Sequence, residues 1–203
     1  MAKTAGKTQD SAGAKGAQLS RELLIKEAAR LFAEKGYNKT NMRELAEAVG
    51  MKAGSIFYHF KSKDEILQAV MHKAITLLVA NVQSSIGDAT TPMERLRVLV
   101  RMELGVYLGE DADYGMVLIH EWRSLPAPLQ EELLVMRANY ESYWDTTLAN
   151  CQQEGIIKAN PKIVRRMLNG AFSWAIYWYQ PEGEFSFEQL VDEVMAMLVV
   201  GSR

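Results

Sequence analysis

Cysteine is nearly absent from this chain, with Cys151 alone among 203 residues. That excludes an internal disulfide framework and a cysteine-rich zinc site, and it fits a reducing cytoplasm. Proline is scarce as well, at 5, so little interrupts long helices. The three histidines, His59, His72 and His120, have no metal-ligand spacing, and neither a metal nor another cofactor is expected. The N-terminus has lysines but no apolar stretch behind them, so no signal peptide is expected. No run approaches the ~20 apolar residues of a membrane span, so no membrane partner is expected either. An excess of charge is missing too, the formal net charge being -2. Its distribution is uneven. Residues 1–61 carry 11 Lys/Arg against 6 Asp/Glu, which leaves the acidic surplus to residues 62–203. A basic head on an acidic body suits a protein whose head touches phosphates, although a solvated surface also reads this way.

What the chain has in quantity is helical periodicity. Residues 1–18, rich in Ala, Gly, Lys, Thr and Ser, offer nothing to bury and are expected to form a disordered tail. From Ser20, Leu24, Ala28, Leu31 and Phe32 recur at helical spacing until Gly36. Thr40 is the expected N-cap of a short helix whose inner face is Met42, Leu45, Ala46 and Val49. Gly50 makes a turn, and a third short helix carries Ile56 and Phe60 inward. Ser62 to Glu65 reads as a capping box opening a long helix, and Thr91 to Glu94 as another with proline at the first helical position. Further helices are expected near Tyr114–Ser124, from Pro126 to Gly155, from Asn160 to about Tyr179, and from Ser186. Alternating strands are missing. The expected fold is all-α with about nine helices, divided into a tail (1–18), a helix-turn-helix domain (19–63) and a larger helical domain (64–203).

Two short helices joined by a glycine turn form a helix-turn-helix, which places its second helix in the major groove of DNA. The outer face of that second helix holds Lys52, Ala53, Ser55, Phe57, Tyr58 and His59, with no acidic residue. Any helical hairpin with a glycine turn shares the outline. The stretch from Glu22 to Leu67, and above all Tyr58-His59-Phe60-Lys61-Ser62-Lys63, resembles the signature of the tetracycline-repressor (TetR) family. The resemblance implies a non-enzymatic, cytoplasmic regulator. In that reading a homodimer binds palindromic double-stranded operator DNA and a small effector releases it. It places Arg43 at a base edge, with Thr40, Ser55, Tyr58, His59 and Lys63 at phosphates. Lys52 joins them as a contact, and Gly54 is expected to permit close packing of the recognition helix. Two positions depart from the family pattern. Phe57 lacks the hydroxyl of the usual tyrosine, and Ala53 offers a methyl where a lysine or polar group is frequent.

Beyond residue 90, aromatic and methionine side chains accumulate. Tyr107, Met116, His120, Trp122, Met136, Tyr140, Tyr143 and Trp144 are candidate lining for a mostly apolar effector pocket, and plain core packing is the competing reading. Glu121, Arg123 and Arg137 sit beside apolar positions, where one could orient a polar ligand. Residues 173–183 resemble the matching stretch of family members that sense acyl coenzyme A thioesters. Trp174, Trp178, Val194, Met197 and Leu198 supply more apolar face than one domain covers, which suggests a dimer interface. A helical enzyme with a spatially assembled site and a DNA-independent adaptor are the rival readings.

Overall fold

The computed structural model describes residues 6–199, with side chains from Gly16 onward. Eight α-helices follow one another: α1 (Gly6–Lys35), α2 (Met42–Ala48), α3 (Lys63–Ile86), α4 (Pro92–Leu108), α5 (Ala112–His120), α6 (Ala127–Gln153), α7 (Pro161–Ala175) and α8 (Phe187–Leu198). Single 3-10 turns at Ser55–Tyr58 and Trp122–Ser124 complete the set, and there is no strand among the described residues.

Local chemistry fixes most helix starts. Thr91 with Glu94 and Ser186 with Gln189 form reciprocal capping boxes, each such cap being worth ~1 kcal/mol. Ser62 forms half of one, because the Glu65 carboxylate takes the N–H of Lys61 instead. At α2 the cap is Asn41, whose side chain accepts from Arg43 and Glu44, and not the expected Thr40. Thr40 is drawn inward, its hydroxyl donating to the Gly36 carbonyl at 3.0 Å. The expected tail differs as well. Residues 1–5 lie outside the described residues, but residues 6–18 continue α1 back from Leu19.

Two apolar cores divide the molecule. The first joins Leu24, Phe32, Leu45, Ile56 and Phe60 of the N-terminal region to Tyr114 and Val117 of α5, Leu125, and Leu133 of α6. The second holds Leu99 and Leu104 of α4, Trp144 of α6, Phe172 of α7 and Val191 of α8. α3 serves both, giving Leu67 and Met71 to the first and Leu78 and Val82 to the second. The border expected at residue 63 therefore falls at the start of a helix shared by head and body. Against expectation, α3 is long and apolar enough by composition to cross a membrane. Burial in two cores accounts for that composition. Gly115 sets the distance between α4 and α5, since a Cβ there would lie 2.7 Å from the Tyr107 ring.

Candidate nucleic-acid interface and effector cavity

α2 and the following 3-10 turn meet at Gly50, whose φ of 68° is in the left-handed region that side chains with a Cβ avoid. The chain then closes on itself through Met51 N–H to the Ala46 carbonyl at 2.8 Å. Leu45 and Ile56 are fully buried beneath the crossing. The predicted third helix is shortened to the one turn Ser55–Tyr58. With Ile56 and Phe60 inward, Lys52, Ala53, Gly54, Ser55, Phe57 and Tyr58 face solvent. Phe57 and Tyr58 are 56% and 82% exposed, and residues 51–61 hold no carboxylate. Aromatic rings held in water on an acid-free surface have the chemistry that contact with an anionic, π-rich partner requires. His59 is half-buried, edge-on to Tyr58. Arg43 is exposed but paired with Glu47 at 2.8 Å, an exchangeable surface ion pair.

Two expected contacts, Thr40 and Lys63, lie elsewhere, while Gly54 stays on the exposed face. Thr40 is buried, its hydroxyl committed to backbone. Lys63 Nζ donates to the carbonyls of Tyr37 and Thr40 at 2.8 and 2.9 Å, and sits over the Tyr37 ring. Two of its three donors are spent behind the face. A Cβ at Gly54 would meet nothing within 4 Å, so no tight packing inside the chain calls for glycine there.

Within the body, a cavity of about 550 Å³ lies among α3, α4, α5, α6 and α7. Tyr107, His120, Trp122 and Tyr140 line it together. Met116, Met136, Tyr143 and Trp144 do not. Trp144 is fully buried, its indole N–H donating to the Tyr140 hydroxyl at 2.9 Å. Met136 packs on the first core, Tyr143 packs on the second, and Met116 is half-buried away from the chamber. A helical stripe shows which residues turn inward but not which of them border a void. Ile75, Leu78, Leu118 and Ile119 make an apolar wall that residue periodicity did not single out. The opposite wall is polar, contrary to the expected apolar pocket. It holds Arg123 and Arg137 with Glu103, Glu141, Arg165, Asn169 and Ser173.

Arg165 organises that wall. Its guanidinium donates to both oxygens of Glu141 at 2.8 and 3.1 Å, pairs with Glu103 at 3.0 Å, and stacks on Trp144. The Tyr140 hydroxyl donates to Glu103 at 2.6 Å. Burial works against the charge of Arg165, but the two carboxylates outweigh it and hold the group more firmly protonated than usual. Burial pushes the Glu103 carboxyl above its usual range, against the pull of Arg165 and Tyr140. Cys151 is no activated nucleophile, since burial raises its thiol to about 11.

The end of α5 touches three regions at once. His120 Nε2 and the Tyr177 hydroxyl are 2.8 Å apart, Glu121 accepts the Tyr37 N–H, and Trp122 lines the cavity. Tyr177 packs on Trp174, and both are exposed, as are Ile163, Met167, Trp178, Phe185 and Met197 on α7, α8 and the segment between them. Val194 and Leu198, expected among them, turn inward against the second core. Their spacing from Met197 allows either face, and the position of α4 decides it.

A helix-turn-helix head packed on a chambered helical body defines a ligand-binding transcriptional regulator. The chain belongs to the TetR family. Residues 24–70 match the family model for bacterial regulatory proteins of the tetR family, and residues 89–202 match the tetracyclin repressor-like C-terminal domain. The HTH-type transcriptional repressor KstR2 of Mycolicibacterium smegmatis (strain ATCC 700084 / mc(2)155) is 24% identical over 89% of each chain. Among solved structures, the superantigen PfiT is 41% identical with a TM-score of 0.76, over 90% of this chain and 97% of its own. AibR, solved with isovaleryl coenzyme A and operator DNA, is 25% identical with a TM-score of 0.81, over 89% and 98%. This family acts in transcription without catalysis.

Proposed function

We propose that this protein is a cytoplasmic, homodimeric repressor of palindromic operators, released when an acyl coenzyme A thioester fills the α3–α7 cavity. The observation that carries the reading is Glu121, which joins the cavity's α5 wall to the loop ahead of α2. The solvent-facing set Arg43, Lys52, Ala53, Gly54, Ser55, Phe57 and Tyr58, with half-buried His59 beside it, is the proposed DNA face. Tyr107, His120, Trp122 and Tyr140 are the proposed effector contacts, joined by the apolar wall from Ile75 to Ile119. The largely apolar acyl chain lies on that wall, and the thioester oxygen meets the arginine side. Trp174, Trp178 and Met197 supply the proposed dimer contacts, and a symmetric pair presents two heads to two half-sites. AibR, named with a thioester and operator, supports the effector class, and KstR2, named a repressor, supports the direction of control.

The test is a binding selection on genomic fragments followed by gel shift across salt, with and without isovaleryl and octanoyl coenzyme A. The expected result is a palindromic site, affinity falling steeply with salt, and release by a thioester. Recovery of no palindrome would sink the DNA half of the reading, and undiminished DNA binding with saturating thioester would sink the effector half.

A further inference from the structure

The helical flank of α7 facing α6 changes character along its length. Lys162 and Arg166 stand one turn apart, followed by Asn169 and Ser173, while Ile163, Met167 and Trp174 occupy the neighbouring exposed face. Asn169 and Ser173 line the effector cavity. Lys162 and Arg166 line a second recess, also of about 550 Å³, which shares Arg137, Glu141, Arg165 and Asn169 with the first. The two therefore share one wall, built on the Arg137–Glu141–Arg165 ion pairs and Asn169, and the second lies between α6 and α7.

Charge differs between the two ends. The outer recess carries the cations Arg137, Lys162, Arg165 and Arg166 against Glu141 and Asp145. Glu141 is already taken by Arg165 and Arg137. Among the described residues, Lys162 and Arg166 form no ion pair. Exposed Leu134 of α6 lies on the same recess, giving it an apolar ledge. From Lys162 to Ser173 the helix rises roughly 16 Å at 1.5 Å per residue. A ligand following this path needs an apolar end inside, a hydrogen-bonding middle and a polyanionic end outside. A free short-chain acid has no such outer end.

We propose that the α6–α7 recess is the subsite for the phosphorylated half of the effector, with Lys162 and Arg166 as its phosphate-binding residues. The proposal rests on the acyl coenzyme A reading and adds that the protein discriminates the coenzyme A thioester from the same acyl group on unphosphorylated pantetheine. Charge-assisted contacts to phosphate are the stronger class of hydrogen bond, and two of them suffice for tenfold discrimination or more.

Calorimetry of the full chain with isovaleryl and octanoyl coenzyme A, the matching acyl-pantetheines and coenzyme A alone tests this. The wild type should bind the coenzyme A thioester at least about tenfold more tightly than the acyl-pantetheine, with the gap closing as salt rises. The double variant Lys162→Glu, Arg166→Glu should lose that preference while its acyl-pantetheine affinity stays within about twofold, since both side chains are exposed and outside the inner chamber. Sedimentation of the variant, unchanged from wild type, separates this from damage to the neighbouring apolar face. Equal wild-type affinity for the two thioesters, or a double variant that keeps the preference, overturns the subsite and leaves the effector class standing. Failure of every thioester to bind overturns both.

Discussion

Glu121 accepts the backbone N–H of Tyr37 at 3.0 Å, across 84 residues of sequence, and so ties the end of α5 to the loop that launches α2. The same carboxylate accepts the Ser124 hydroxyl at 2.7 Å, which fixes its position beside cavity residues His120 and Trp122. On the other side of the loop, Lys63 holds the Tyr37 and Thr40 carbonyls, and the Tyr37 hydroxyl donates to Asp64. The loop therefore has one anchor on the sensor, those of Lys63 and Asp64 on α3, and the Thr40 hydroxyl turned back to the end of α1. A ligand that displaces the end of α5 pulls one anchor against the others, and Asn41, the cap of α2, follows directly.

Glu121→Ala removes the acceptor and should weaken coupling. The measured quantity is the factor by which the thioester changes operator affinity, typically 5- to 150-fold or about 1–3 kcal/mol for such regulators. In Glu121→Ala that factor should fall several-fold, and operator should weaken thioester binding by the same reduced factor. Glu121→Gln keeps an acceptor oxygen and should retain most of the coupling. An unchanged factor in Glu121→Ala would show that the signal travels by another route.

The fold was largely legible because its signals are local. Thr91-Pro92-Met93-Glu94 and Ser186 to Gln189 announce helix starts with side chains that bond their own backbone. Gly50 announces the turn. The exposed surface of the second helix was legible as an acid-free run from Met51 to Lys61 around buried Ile56 and Phe60. Thr40 and Lys63 were misplaced because their hydrogen bonds go to backbone carbonyls that only the folded loop brings near. The cavity was half legible. Tyr107 and Tyr140 advertise themselves by size, whereas Ile75 and Leu118 look like any core residue. Arg165, beside Val164, Leu168 and Phe172, and Glu103, beside Leu99, Val100 and Tyr107, are charges on otherwise apolar stripes and were the overlooked signals for the polar wall.

Arg165 carries the interior charge balance, so its loss should be costly. Arg165→Met leaves Glu103 buried without a counter-charge, which costs about 3–5 kcal/mol in urea denaturation. Glu103→Gln in the same chain should recover most of that, because the amide oxygen still accepts from Tyr140. The pH dependence has a definite sign. With Arg165 gone, burial raises the folded-state pKa of Glu103 further above its unfolded value, so protonation favours the folded form. Arg165→Met should then gain stability relative to wild type as pH falls from about 7 to about 5. Equal destabilisation at both pH values, with no rescue by Glu103→Gln, would show that the loss comes from packing against Trp144 alone.

The exposed apolar surface makes a paired prediction. Trp174 is 64% exposed in the single chain and Val194 only 7%. Trp174→Glu should therefore give a folded monomer by sedimentation, with helical content and melting close to wild type. Val194→Glu should unfold the body instead, since it places an unpaired charge in the second core. A wild-type monomer at micromolar concentration would refute the dimer directly.

Lys52 and Lys63, eleven positions apart, should behave in opposite ways although both belong to the basic head. Lys52 is exposed beside Phe57 and Tyr58, on a surface with no carboxylate between residues 51 and 61. Its ammonium is available to a phosphate, so Lys52→Ala should weaken all DNA sequences alike and lower the salt slope of binding by about 1. Lys63 spends two donors on the Tyr37 and Thr40 carbonyls and covers the Tyr37 ring. Removing it takes a donor from each of two partly buried carbonyls and leaves that of Tyr37 with the Thr40 N–H at 3.2 Å, so Lys63→Ala should destabilise the head by about 1–3 kcal/mol. Its DNA affinity should fall because the loop before α2 loosens, while the salt slope stays near that of wild type. Tyr58→Ala serves as the companion variant, since at 82% exposure it should leave stability unchanged and still reduce affinity. The two slopes, measured on one operator fragment across the same salt range, decide the matter. A lowered slope for Lys63→Ala with unchanged melting would place that ammonium on a phosphate after all.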